Sequence, residues 1–152
     1  MPSEETVLTP TTYRVLDFVA DAYDPLLTLL ALIAPPFAKP RKAPDLLRFY
    51  AAAAFGIGFV YLVMAADNSF GLWRSFGLDY STHSAFAAAL VVSLAIHFRK
   101  WLLPLAGSLA LYLALIVLMG YHGILDVLSA ALVVSVATLL VHLAFRASAL
   151  SR

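Results

Sequence analysis

The chain has 152 residues, of which 62% are hydrophobic and only 12% charged, against about 45–50% and about 25% in an ordinary soluble domain. With a mean hydropathy of +0.90 this excludes a soluble cytosolic enzyme. The lack of cysteine, of basic blocks and of low-complexity tracts excludes a disulfide scaffold, a nucleic-acid binder and a disordered chain. A single all-α integral membrane domain over residues 1–152, a helical bundle, is the expectation.

In chain order, the opening MPSEET is acidic where a cleavable signal peptide is basic. Over residues 12–23, Val15, Leu16, Phe18, Val19 and Ala22 stand beside Asp17 and Asp21, so residues 1–24 read as an outer, interfacial segment. Asp24-Pro25 reads as an N-cap followed by a first-turn proline. A short span over 25–38 would then end at Pro35-Pro36, and one continuous tilted helix is the competing reading. Crossing a bilayer takes roughly 20 apolar residues. Four further spans are read on that basis, at 47–66, 82–101, 102–121 and 124–146, which makes five with 25–38. Gly56, Gly58, Gly107 and the alanine runs suit close helix approach. Trp73, Tyr80, Trp101 and Tyr121 fall near the span ends, as aromatic-belt residues do.

Alternating spans place Lys39, Arg41, Lys42, Arg48, Arg99, Lys100, Arg146 and Arg152 on one side and only Arg14 and Arg74 on the other. Basic residues are retained in the cytoplasm. The C-terminus is therefore expected to be cytoplasmic, and the loops 67–80 and 120–123 to face outward from an inner (cytoplasmic) membrane.

Two of the four histidines fall at the outward ends of spans. His83 lies in Asp79-Tyr80-Ser81-Thr82-His83-Ser84, where the third span opens. His122 precedes Asp126 by four residues, which in a helix puts both on one face. A carboxylate that holds one ring nitrogen makes the other a better base or nucleophile. The helix start beside His83 offers free N–H groups to an anion, with Ser81 or Thr82 as further contacts. This is a phosphoryl-transfer arrangement. The bland alternative is a pair of imidazoles anchoring helix ends at the interface. His97 and His142, at the other end, read as interface or packing residues. Asp17, Asp21 and Asp24 could share a face by spacing, as a cation site, as one wall of the outward pocket or as the solvated face of an interfacial helix.

Ser81-Thr82-His83 and His122-Gly123-Ile124-Leu125-Asp126 resemble the two motifs of the type-2 phosphatidic acid phosphatase superfamily, including its sphingomyelin-synthase-like branch. The resemblance covers roughly residues 79–131. It implies that His122 forms a phosphohistidine, that Asp126 orients it and that His83 protonates the leaving group. It places Asp79 where that branch carries an acidic residue, and it implies chemistry without metal or organic cofactor. The sequence departs from the family in three respects. No Lys-x6-Arg-Pro motif precedes His83, Ile116 stands where an arginine is usual, and Thr82 replaces a glycine. Phosphate charge would then fall to helix N–H groups, Arg74 and Arg14.

The expected function is thus a membrane lipid phosphatase or phosphotransferase acting on a lipid phosphate or diphosphate. Its catalytic residues would be His122, His83 and Asp126, with Ser81, Thr82, Arg74 and Asp79 binding substrate and no metal ligands. The expected partners are that substrate and membrane lipids, without nucleic acid; a homo- or hetero-oligomer is compatible. One rival is a non-catalytic membrane subunit or lipid-binding protein on the same scaffold. Another is an ion pathway through Asp17, Asp21, Asp24 and Asp126, at odds with spans whose middles carry almost no ionisable group.

Overall fold

The computed structural model describes residues 9–37 and 43–150, apart from the side chains of 149 and 150. The opening MPSEET, Lys39, Arg41, Lys42 and Arg152 fall outside them. The described residues form five α-helices and no strand: α1 (Pro10–Phe37), α2 (Ala43–Phe70), α3 (Thr82–His97), α4 (Leu102–Leu118) and α5 (Ile124–Leu150). Short 3-10 turns at Arg74–Phe76 and Arg99–Trp101 interrupt the links before α3 and α4.

The central element is α3, which packs against all four other helices. Its small residues permit this. Ala85, Ala87, Ala88, Ala89, Ser84 and Ser93 are all fully enclosed, together with Leu90 and Leu94. In α5, Val127, Ala130, Val134, Thr138 and His142 recur at helical spacing as the inward stripe. Gly56 in α2 marks the tightest crossing: a Cβ there would lie 2.7 Å from Thr138 Oγ1 and 3.3 Å from the Ala89 Cβ. Small residues at such a crossing let helices approach until dispersion contacts hold them, as required where lipid leaves little hydrophobic drive to association.

The outer surface is apolar. Leu103, Leu111, Leu118, Leu125, Leu132 and Leu140 all stand exposed. On α1 the polarity is inverted relative to a soluble amphipathic helix: Phe18, Leu26, Leu32 and Ile33 face outward, while Asp17 and Asp24 meet residues of the bundle. Three helical stretches are long and apolar enough to cross a membrane, namely Ala43–Phe70, Arg99–Leu118 and Ile124–Ser148.

That is fewer than the four spans read on length, and the fifth, at 25–38, is not among them. The span read over 82–101 is a helix of only 16 residues, because the chain leaves helical geometry at Phe98 (φ −112°, ψ 71°) and turns into α4. The second span runs through Asp67, where it was expected to stop. Asp67 is buried, and its carboxylate accepts the Trp73 N–H at 2.6 Å, so it satisfies the chain that follows α2.

The expected break at Asp24-Pro25 is also absent, and α1 is the continuous helix of the competing reading. Its prolines each remove a helical donor, and at Pro36 a neighbouring group compensates. Pro36 cannot donate to the Leu32 carbonyl; the Tyr50 hydroxyl of α2 donates to it instead, at 2.8 Å. Pro25 likewise leaves the Asp21 carbonyl without its helical donor, while Thr28 Oγ1 makes an additional bond to the Asp24 carbonyl at 2.8 Å. A substitute such as the Tyr50 hydroxyl is what allows proline inside a helix that has no water to turn to. Farther along the bundle, α1 is fixed to α4 by stacked Tyr23 and Tyr112 rings, 4.1 Å between centroids. Ser108 Oγ donates to the Leu105 carbonyl, so at 3.0 Å the Tyr23 hydroxyl donates to Ser108.

Candidate active site

The link between α2 and α3 is pinned rather than loose. The Trp73 indole donates to Ser129 Oγ of α5 at 2.8 Å and packs edge-on against Tyr80, 4.8 Å between centroids. The Tyr80 hydroxyl donates to the Val60 carbonyl at 3.2 Å. This brings Asp79 to the start of α5. There Asp126 accepts the Asp79 N–H at 2.9 Å with one oxygen and the Gly123 N–H at 2.8 Å with the other.

Asp126 therefore joins two loops and is engaged on both oxygens by backbone. Its expected role of orienting His122 is not what the geometry shows. The spacing argument required a helix through His122, but residues 119–123 form a turn, with Gly120 at φ 74°, and α5 begins only at Ile124. Asp79 stands in its place. Its Oδ2 lies 3.2 Å from His122 Nδ1, a charge-pair distance without hydrogen-bond alignment.

His83 is paired from another direction, here through a hydrogen bond. Its Nδ1 lies 3.1 Å from Asp24 Oδ2, across the interface of α3 with α1. The two histidines differ in access: the His83 side chain is 70% exposed and that of His122 only 17%. Both line one cavity of about 340 Å³ together with Ala20, Asp21, Tyr112, Ile116 and Tyr121. A second hollow of about 560 Å³, walled by Leu29, Tyr61 and Phe86, adjoins it at His83 and Asp24. The second Asp24 oxygen is buried without a hydrogen-bond partner.

The acidic residues of α1 thus belong to the site. Asp17 accepts a hydrogen bond from the Tyr121 hydroxyl, which holds that phenol above its ordinary pKa and keeps it a donor. Asp21 lines the cavity and Asp24 holds His83. Asp21 thus lines the cavity and Asp24 the adjoining hollow, while Asp17 reaches the site only through Tyr121. The i, i+4, i+7 spacing offered a shared face, but only the packing of α1 decides which way the face turns.

Other expected contacts are absent. Ser81 is fully buried and hydrogen-bonds Ser84 Oγ at 2.7 Å; it neither caps α3 through its side chain nor reaches the cavity. Thr82 lines the apolar hollow. Arg74 stands exposed on its 3-10 turn and lines neither space. No lysine or arginine lines either space among the described residues, and no group of three or more metal-ligating side chains occurs among them.

At the opposite end, His97 and His142 are buried. His142 Nε2 lies 3.1 Å from Ser93 Oγ, and the Phe49 ring lies 4.7 Å from that of His97. Ser93 donates to the Ala89 carbonyl, so His142 must donate to Ser93, which identifies its Nε2–H tautomer. Both imidazoles are packing residues, as their positions in the sequence suggest. No family model matches the chain, and neither a curated protein nor a solved structure matches it significantly.

Proposed function

We propose that the protein is a five-helix membrane enzyme that moves the phosphoryl headgroup of a lipid through a phosphohistidine at His122. One observation carries this reading. Two imidazoles from separate stretches of chain, each with a carboxylate oxygen within 3.2 Å of Nδ1, line a single cavity. In each ring this leaves Nε2 as the nitrogen for chemistry.

The difference in exposure assigns the roles. Enclosed His122 is the nucleophile, and His83, the more exposed of the two, exchanges protons. His122 Nε2 attacks phosphorus, the bond from phosphorus to the lipid alcohol oxygen breaks, and that oxygen takes a proton from the His83 imidazolium. Water or a second alcohol then gives its proton to His83 and attacks the phosphohistidine, which breaks the P–N bond and restores His122. The lipid tail lies in the hollow beside Leu29, Tyr61 and Phe86.

Charge narrows the substrate. Asp17, Asp21, Asp24, Asp79 and Asp126 surround the site, and no lysine or arginine lines it. A dianionic phosphate or a diphosphate is poorly matched to such a field. A phosphodiester carries a single negative charge, and a cationic headgroup on it would be met by Asp21 and by the faces of Tyr112 and Tyr121. Arg48, Arg99, Lys100 and Arg146 lie toward the other end of the bundle, so the positive-inside rule turns the site outward from the cytoplasm.

The test is headgroup release in detergent micelles from phosphatidylcholine, phosphatidic acid and a polyprenyl diphosphate, using wild type, His83→Ala and His122→Ala. The expected result is release from the diester, lost by roughly a hundredfold or more in each variant. Equal activity in all three proteins, or none in any, overturns the enzymatic reading. The latter outcome would favour a non-catalytic lipid-binding bundle, the reading that the lack of a lining cation supports.

A further inference from the structure

At the end of the bundle remote from the histidines, a groove of about 490 Å³ runs between α3, the start of α4 and α5. Its walls are apolar, with Ile96, Leu102, Leu139 and Leu143 among them, and the two charged residues lining it are Arg99 and Arg146. Among the described residues no carboxylate pairs with either arginine. Arg146 Nη2 donates to the Ile96 carbonyl at 3.1 Å, which steadies the guanidinium at the C-terminal end of α3 while most of its five donors stay available.

We infer that this groove is a binding site for one anionic phospholipid, with its phosphate between Arg99 and Arg146 and an acyl chain laid along α5. Charge complementarity is the first argument. Two guanidiniums without carboxylates match a phosphate oxygen set, which Arg binds through paired N–H groups. The shape of the groove is the second. From Arg146 back to Ser135, also a wall residue, α5 advances about 16 Å, close to the depth of one leaflet's hydrocarbon. A soluble anion would leave that apolar length unfilled, and a lipid without net negative charge would leave the two guanidinium charges unbalanced. The site is independent of the histidine chemistry and lies in the opposite leaflet.

The experiment is thermal unfolding of the delipidated full chain in a neutral detergent, titrated with phosphatidylglycerol or phosphatidylcholine. Phosphatidylglycerol should raise Tm at about a tenfold lower concentration than phosphatidylcholine. The Arg99→Gln/Arg146→Gln double variant should lose that preference, and Arg48→Gln, at the same end but outside the groove, should keep it. Leu139→Trp, which fills the groove with both arginines intact, should also lose it and carries the test should the double variant not fold. Equal response to the two lipids in wild type, or the preference retained in the double variant or in Leu139→Trp, overturns the inference.

Discussion

Asp79 Oδ2 sits 3.2 Å from His122 Nδ1, reaching it from a different loop, although Asp126 follows His122 by four residues on its own stretch of chain. Asp126 holds the two loops together by accepting the N–H groups of Asp79 and Gly123. The two acids should therefore fail differently. Asp79→Asn should lower turnover by about tenfold to a hundredfold with little change in Tm, since it removes charge from the imidazole and leaves the backbone alone. Asp126→Ala should destabilise by about 1–3 kcal/mol through two orphaned N–H groups. Turnover and thermal unfolding measured on both variants separate these roles; an Asp126→Ala protein with unchanged Tm would contradict its structural one.

Tyr50→Phe removes the hydroxyl that satisfies the Leu32 carbonyl left open by Pro36. The expected loss is about 1–2 kcal/mol. Substituting Pro36→Ala in the same background restores the missing N–H and should recover most of it. Denaturation of the single and double variants in detergent measures the coupling directly.

Gly56→Ala places a methyl group 2.7 Å from Thr138 Oγ1, so α2 must move away from α5 or Thr138 must rotate. A destabilisation of about 1–3 kcal/mol is expected. Gly58 faces open space, with nothing within 4 Å of where a Cβ would stand, and Gly58→Ala should be neutral or slightly stabilising. Comparison of their Tm values is the check.

Ser93→Ala should leave the buried Nε2–H of His142 without its acceptor and cost about 1–3 kcal/mol. Turnover per folded molecule should not change, because this pair lies at the far end of α3 from His83. A fall in turnover at constant folded fraction would show that the far end reports to the site.

Composition and the long apolar runs made the all-helical architecture legible, and the ends of α4 and α5 fall close to where those runs stop. That His83 and His122 lie at the same end of the bundle was legible from their places at the heads of apolar spans, and the structure brings both to one cavity. Three things were not legible. Helix α1 runs through Asp24-Pro25 and on to Pro36, where the Tyr50 hydroxyl, 18 residues along the chain, serves the Leu32 carbonyl that the proline leaves open. Ser81 turns inward because Ser84 offers it a partner in the core. The acid beside His122 could not be read from spacing, since helical spacing has no meaning across the turn that Gly120 makes.

The brevity of α3 has a consequence for where a reaction would occur. Its 16 residues rise only about 24 Å, some 6 Å less than a bilayer's apolar thickness. In the orientation proposed above, with Arg99 and Lys100 at the cytoplasmic headgroups, His83 falls short of the opposite water boundary. Its partner Asp24 stands 14 residues inside α1, so the first turns of α1 overhang the two imidazoles. On the reading proposed above, this sets the reacting phosphorus at about the level of the glycerol ester bonds. A lipid could present its phosphate there by sliding sideways between helices, without being lifted out of its leaflet.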